Sequence, residues 1–175
     1  MAEITACRSC GAEGLEPVLD LGRTPLADRL VTQAGLAGPE PRYPLAVAFC
    51  LACGLVQIRE TVPPEVLFCE DYPYFSSFSD ALLRHSRANA LELIAELGLG
   101  PTSLAVELAS NDGYLLKNYV EQGIPVLGID PAEGPAREAE KIGVTTLQTF
   151  FTADLARQLA DEGRRADVIH ANNVL

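Results

Sequence analysis

Leu104-Ala105-Val106-Glu107-Leu108-Ala109-Ser110-Asn111-Asp112-Gly113 is the stretch that decides the fold. Its first six residues read as a strand buried on both faces, because a short apolar run bounded by turn residues suits that environment. Asp112 reads as the cap of a short helix carrying Leu115, Leu116, Tyr119 and Val120, stopped at Gly123. Downstream the pattern alternates. A second strand is expected over 126–129, a helix from about 132 to 142 with Gly143 as its stop, and a third strand over 145–147. A helix over 152–162 with Leu155 and Leu159 inward leads to a fourth strand over 167–171. Strands alternating with helices of this length predict a doubly wound, Rossmann-like α/β domain with a parallel sheet.

Upstream, residues 80–97 predict a strong helix. Leu83, Ala90, Ile94 and Leu97 fall on one face, Ser77 with Asp80 offers a capping-box start, and Gly98 with Gly100-Pro101 ends it. Before it lies an aromatic connector, Tyr72-Pro73-Tyr74-Phe75-Ser76-Ser77-Phe78-Ser79, and Val62-Pro63-Pro64 marks a boundary. The expected organisation is therefore a lobe over 1–62, a connector over 63–79 and an α/β domain over 80–175. The first lobe is rich in Gly and Pro. Its two apolar runs, 45–49 and 55–58, flank Cys50-Leu51-Ala52-Cys53-Gly54, which predicts a hairpin bent around a metal knuckle.

Cys7-Arg8-Ser9-Cys10 forms the partner pair. A structural zinc takes four ligands in a tetrahedron, and each C-x2-C turn supplies two thiolates. Gly11 and Gly54 follow the pairs, where positive φ completes the turn. Neither pair sits near a βαβ pattern, as a redox dithiol would. Cys7, Cys10, Cys50 and Cys53 are thus expected to hold one structural Zn2+, a closed site that serves folding rather than chemistry. A loop-rich lobe of this size needs such a staple. Cys69 is left over and reads as a buried thiol of the connector.

Composition narrows the partners. The 175 residues are 48% apolar and 21% charged, with a net charge of -11. That acidity disfavours nucleic acid. No run of about 18 apolar residues predicts a membrane span. Met1-Ala2-Glu3-Ile4-Thr5 lacks the basic and apolar parts of a signal peptide. The expectation is a cytoplasmic protein with reduced thiols.

The turn at Ala109, Asn111 and Gly113 is made of small residues at a helix start, so a ligand can approach the backbone. It is not the G-x-G-x-x-G that a pyrophosphate cofactor uses, and it suits a ligand with an amino-acid head and no phosphate. The second strand ends Gly128-Ile129-Asp130-Pro131, where a carboxylate can accept from ribose hydroxyls; Asp130 as a helix cap is the competing structural role. Glu107 is alternatively a carboxylate bonded to nearby backbone N–H groups. Asn172 and Asn173 close the fourth strand on the same ligand-binding edge, or simply begin a polar loop. The pairing of Glu107 with Asp130 resembles the adenosyl-binding layout of class I methyltransferases.

These features occur in a specific order. The cysteine pairs bracket Leu21-Gly22-Arg23-Thr24-Pro25-Leu26-Ala27-Asp28, and Tyr74-Phe75-Ser76-Ser77, Glu107 to Gly113, Gly128 to Ala132, and Asn172 to Leu175 follow. The ordered set, spread over essentially the whole chain, resembles the sugar C-methyltransferase family, which acts at C-3 of nucleotide-activated 4-keto deoxysugars. The resemblance implies a zinc domain, a central S-adenosylmethionine domain and a third domain with substrate contacts. It implies that Tyr74, or Tyr72 beside it, lies near the reacting sugar, and that the catalytic base is a histidine beyond residue 175. It implies a small-molecule nucleotide-sugar substrate. His85 and His170 are expected to have packing or surface roles.

An apolar end beside a strand leads to the further expectation that the sequence is a fragment, inactive alone, of a longer enzyme. Two other functions fit the residues: a methyltransferase with a different acceptor, and a non-catalytic zinc-binding interaction module.

Overall fold

The computed structural model describes residues 2–27, 29–68 and 72–174. Cys69 and Asp28 lie outside the described residues. The chain divides into two compact units, Met1–Leu67 and Phe68–Leu175.

The first unit is antiparallel. It contains β1 (Ala2–Glu3), β2 (Leu15–Thr24), β3 (Tyr43–Cys50), β4 (Val56–Ile58), β5 (Glu60–Thr61) and a single helical turn, α1 (Pro64–Leu67). The hairpin expected around the second cysteine pair is present: β3 and β4 pair as Val47 with Ile58 and Phe49 with Val56. β2 lies on the other side of β3, and β1 pairs with β5. Little of this unit is buried. Cys7, Ala48, Cys50 and Gln57 are its fully buried described side chains, and Val18, Leu19, Leu21 and Val56 are exposed. An apolar core this thin cannot hold strands of ten and eight residues together alone.

The second unit opens with α2 (Asp80–Leu97), with the limits expected from sequence. Ser79 caps it, its hydroxyl accepting from the Leu82 N–H, so the cap is not the predicted Ser77. Ser77 lies in a 3-10 turn, Ser76–Phe78, and its N–H is used elsewhere. Gly98 closes the helix in the left-handed region, φ 63, and donates to the Ile94 carbonyl. Leu83 and Ile94 pack on the core around buried Ala90, but Leu97 is exposed because the chain turns away there.

Then follow β6 (Ala105–Leu108), α3 (Lys117–Val120), β7 (Val126–Ile129), α4 (Glu133–Lys141), β8 (Thr146–Leu147), α5 (Ala153–Asp161) and β9 (Val168–His170). The sheet is parallel with the order β8-β7-β6-β9. This is the doubly wound α/β fold read from the sequence. Side chains alternate along β6. Ala105 joins Tyr119, Leu116 and Ala90 on one face, while Val106 and Leu108 join Leu127, Ile129 and Leu159 on the other. Glu107 therefore points to the face of Ala105. Between β7 and its neighbours there is no room for a side chain at Gly128: a Cβ there would stand 2.5 Å from the Ser110 hydroxyl.

One expected helix differs. α3 is only four residues long, and Asp112 does not cap it; turns occupy the chain from Asn111 to Leu116. The carboxylate of Asp112 is drawn to the Ser77 N–H instead.

Candidate functional site

Two groupings of chemically capable residues stand out, one in each unit. In the first, Cys7, Cys10, Cys50 and Cys53 bring their sulfurs within 4.8 Å of one another. The Cys7–Cys53 and Cys10–Cys50 Sγ separations are 3.6 and 3.7 Å. A tetrahedron of thiolates about 2.3 Å from a zinc ion has edges of about 3.8 Å, so the donor set fits that metal. Each pair is built by a tight turn. The Gly11 N–H donates to the Cys7 carbonyl and the Gly54 N–H to the Cys50 carbonyl, both glycines having positive φ.

The surroundings treat the thiols differently. The backbone N–H of Cys10 lowers the Cys7 thiol to about 6, helped by the Gln57 amide, which donates to its sulfur at 3.3 Å. Gln57 is itself fixed by the Arg8 N–H, which donates to its carbonyl oxygen. At Cys53 the Leu55 backbone N–H acts downward, but the crowding thiols of Cys10 and Cys7 prevail and push it up to about 12. Four sulfurs so close release their protons together only when a cation shares the charge. Gln57 was not anticipated; an amide between two apolar strand residues carries no sequence signal of its sulfur contact.

The second grouping lies in the α/β unit, at the carboxyl ends of β6, β7 and β9. The strand order reverses between β6 and β9, and the crevice outside such a switch point is where open α/β sheets bind ligands. Glu107 is 1% exposed, and its Oε2 has no hydrogen-bond partner. Burial pushes its carboxyl well above the usual range. Tyr114 and Asn172 act against that shift as hydrogen-bond partners, while Asp130 and Asp112 add to it as like charges. Ser110 Oγ and Asp112 Oδ1 are also buried without partners. Three orphaned polar atoms around one turn ask for donors and cationic charge.

The turn itself is strained. The described non-glycine residues with positive φ are Ala109 (φ 53), Asn111 (φ 49) and Asn173 (φ 62), all on this edge. Such strain gathers where structure is held for a ligand. Asn111 spends its side chain on the connector: its carbonyl oxygen accepts from the Ser76 N–H at 2.8 Å, and its amide donates to the Tyr74 carbonyl at 3.1 Å. With the Ser77 to Asp112 bond, three hydrogen bonds lace residues 74–77 to the turn.

Asp130 holds the turn from the other strand. Its Oδ2 accepts from the Asn111 N–H and its Oδ1 from the Ala132 N–H, each at 2.8 Å. Burial raises its carboxyl, and these two bonds oppose the rise. Ala132, not Asp130, is the cap residue of α4. Gly113 (φ 75) ends the turn against Val144. Asn172 is exposed and donates to the Tyr114 hydroxyl at 3.4 Å, and Asn173 is exposed beside it.

The Tyr74 ring is half-exposed and edges onto Tyr72. His85 is exposed on α2. His170 is buried, its Nε2 2.9 Å from the Tyr119 hydroxyl, and burial lowers its pKa. Tyr114, buried directly after Gly113, carries no expectation from the sequence.

Comparison with known proteins gives two kinds of match. Residues 7–68 match a family model described as "Putative zinc binding domain". The chain is 34% identical over 167 residues to "C-methyltransferase NovU" of Streptomyces niveus, covering 95% of this chain and 40% of that protein. The chain thus spans about two fifths of that relative's length. Over 88 residues it is 36% identical to "Ribose-5-phosphate isomerase A" of Nitrobacter hamburgensis, covering 47% of this chain and 36% of that one. The first two matches bear out the resemblance to the sugar C-methyltransferase family and support zinc at the cysteine cluster. No helix among the described residues is long and apolar enough to cross a membrane.

Two outcomes follow from this geometry. Stripping metal with a strong chelator should abolish the amide dispersion of β2, β3 and β4 in NMR spectra while leaving the parallel sheet of the second unit intact. A first unit that stays folded without metal would contradict a structural ion. For Glu107, a folded-state pKa above the unfolded one means that stability is full below the unfolded value and is lost as pH rises through the folded value. Glu107→Gln removes that loss. The variant should melt higher than wild type on the alkaline side of the Glu107 midpoint, with the gap narrowing as pH falls through that midpoint and the wild-type carboxyl takes up its proton.

Proposed function

Taking the likeness to the sugar C-methyltransferase family as its premise, we propose that this chain forms the zinc-binding and methyl-donor part of an S-adenosylmethionine-dependent C-methyltransferase. The acceptor is a carbon next to the ketone of a nucleotide-activated deoxysugar. The observation that carries the methyl-donor reading is the switch-point edge. Buried, unpartnered Glu107 Oε2, Ser110 Oγ and Asp112 Oδ1 surround a strained turn with no phosphate-binding glycine fingerprint.

The residues fit such a cofactor. Glu107 and Asp112 offer oxygens to an ammonium group. Asp130 has both oxygens engaged by backbone N–H groups, yet each retains a second lone pair for a ribose hydroxyl. Asn173 and the backbone of Ala109 stand beside this edge. When bound, S-adenosylmethionine supplies an electrophilic methyl group on a sulfonium.

The chain's own residues then act by placement. Asn111 anchors the connector, so Tyr74 is held at the turn through its carbonyl while its phenol remains half-exposed. That phenol is suited to donate to a ketone oxygen as the sugar's α-carbon loses its proton and the oxygen gains charge. Fixing acceptor carbon and donor methyl in one register supplies much of the rate in such a transfer. Neither histidine here is assigned as the base: His85 is exposed on α2, and His170 is occupied by Tyr119. The zinc keeps the first unit folded and takes no part in the chemistry.

Calorimetry with S-adenosylmethionine tests the reading, using the full-length protein. Wild type should bind, and Asp130→Ala should bind about tenfold more weakly or worse, the worth of one good charged hydrogen bond. Because Asp130 also secures the Asn111 and Ala132 N–H groups, the melting temperature is measured in parallel. Unchanged affinity in a folded variant would sink the ribose assignment. Methyl transfer to a keto sugar nucleotide, and not to its hydroxy counterpart, separates the C-methyl reading from other acceptors.

A further inference from the structure

β4 runs against the usual alternation. Val56 and Ile58 are apolar and exposed, while the polar Gln57 between them is 8% exposed and lies opposite buried Ala48 of β3. Burying an amide and leaving two β-branched residues in water costs free energy unless the amide has partners. It has two. Its oxygen accepts from the Arg8 backbone N–H at 3.1 Å, and its nitrogen donates to Cys7 Sγ at 3.3 Å. A backbone N–H can only donate, so the Arg8 contact settles which end of the amide meets the sulfur.

The two cysteine knuckles are the same turn with unequal support. In the first, the Cys7 N–H donates to the Ala12 carbonyl and the Gly11 N–H to the Cys7 carbonyl. In the second, the Cys50 N–H donates to the Leu55 carbonyl and the Gly54 N–H to the Cys50 carbonyl. The second knuckle is the tip of the β3–β4 hairpin and is closed by its ladder. The first is closed by an isolated bridge, Ala6 with Glu13. Before it, the Ile4 N–H donates to the Arg59 carbonyl. Within it, the hold on the hairpin runs through Gln57 and through the Arg8 guanidinium, which donates to the Ile58 carbonyl.

We propose that Gln57 is a positioning residue of the metal centre: one end of its amide holds the first knuckle against the hairpin, and the other donates to the Cys7 thiolate. The two halves of the cysteine cluster are thereby brought together before the ion arrives. The N–H donor also eases the excess negative charge that four thiolates place around one divalent cation. Cys10 and Cys53 are exposed, so water can do this for them, whereas Cys7 is buried and depends on a protein donor. The proposal rests on the zinc reading of the cluster and is independent of the methyl-donor reading. Partners of this kind fix the direction of a ligand and tune its metal, and their loss costs about tenfold to a hundredfold in affinity.

The test is zinc and cobalt binding to the full-length protein, by competition with a chromophoric chelator, in wild type, Gln57→Leu and Gln57→Glu. Leucine removes both contacts at similar volume. Glutamate keeps an oxygen for the Arg8 N–H and loses the donor to the sulfur. Zinc affinity should fall about tenfold to a hundredfold in both variants. In the cobalt-loaded forms the thiolate-to-metal charge-transfer band should move to lower energy, because a sulfur without its N–H donor gives up charge more readily. Unchanged affinity and an unmoved band in both variants overturn the proposal. A lower affinity with an unmoved band overturns it as well, since a packing defect alone accounts for that result. Should Gln57→Leu fail to fold even with zinc, Gln57→Glu decides, because it retains the bond that holds the first knuckle. A wild-type protein that takes up neither ion overturns the zinc reading and this proposal together, whereas intact wild-type binding with unaffected variants overturns this proposal alone.

Discussion

Glu107 stands in the central strand of a parallel sheet, flanked by β7 and β9 and covered by packed helices, where water does not reach its carboxylate. A charge in that place costs several kcal/mol unless donors or a cation meet it. The neighbouring structure is arranged around the deficit. Tyr114 and Asn172 reach in from two segments, the turn is forced through positive φ at Ala109 and Asn111, and Asp130 clamps the turn from the next strand. One oxygen is nevertheless left without a partner. An apolar residue at this position would continue the buried run of β6 at no such cost.

The first unit solves a different problem. Its strands are long but bury little, and two of its fully buried described residues are cysteines. Four thiolates on two knuckles, tied by Gln57 and the turn hydrogen bonds, replace the missing core with a metal tetrahedron. The exposed apolar side chains of β2 and β4 remain on its surface.

Much of this was legible in the sequence because it depends on local pattern. The limits of α2, the alternation that yields the parallel sheet, the hairpin around the second cysteine pair and the cysteine cluster itself follow from spacing, punctuation and period. What was not legible depends on tertiary demand. Asp112 looked like a cap, but the connector N–H of Ser77 competed for it. Ser79 capped α2 because Ser77 was drawn into a 3-10 turn. Leu97 fits the apolar stripe of α2 yet is exposed where Gly98 turns the chain. Positive φ at Ala109 and the burial of Tyr114 leave no mark on composition or periodicity.

The central claim is that the edge formed by the ends of β6, β7 and β9 binds an adenosyl amino acid. Amide chemical-shift mapping of the full-length protein with S-adenosylhomocysteine, a ligand that carries the amino-acid head and ribose without the methyl, tests it most directly. The account predicts saturable shifts centred on residues 107–113, 130–132 and 172–173, with the cysteine knuckles unmoved. Saturable shifts confined to other residues, or none at millimolar ligand, would contradict it.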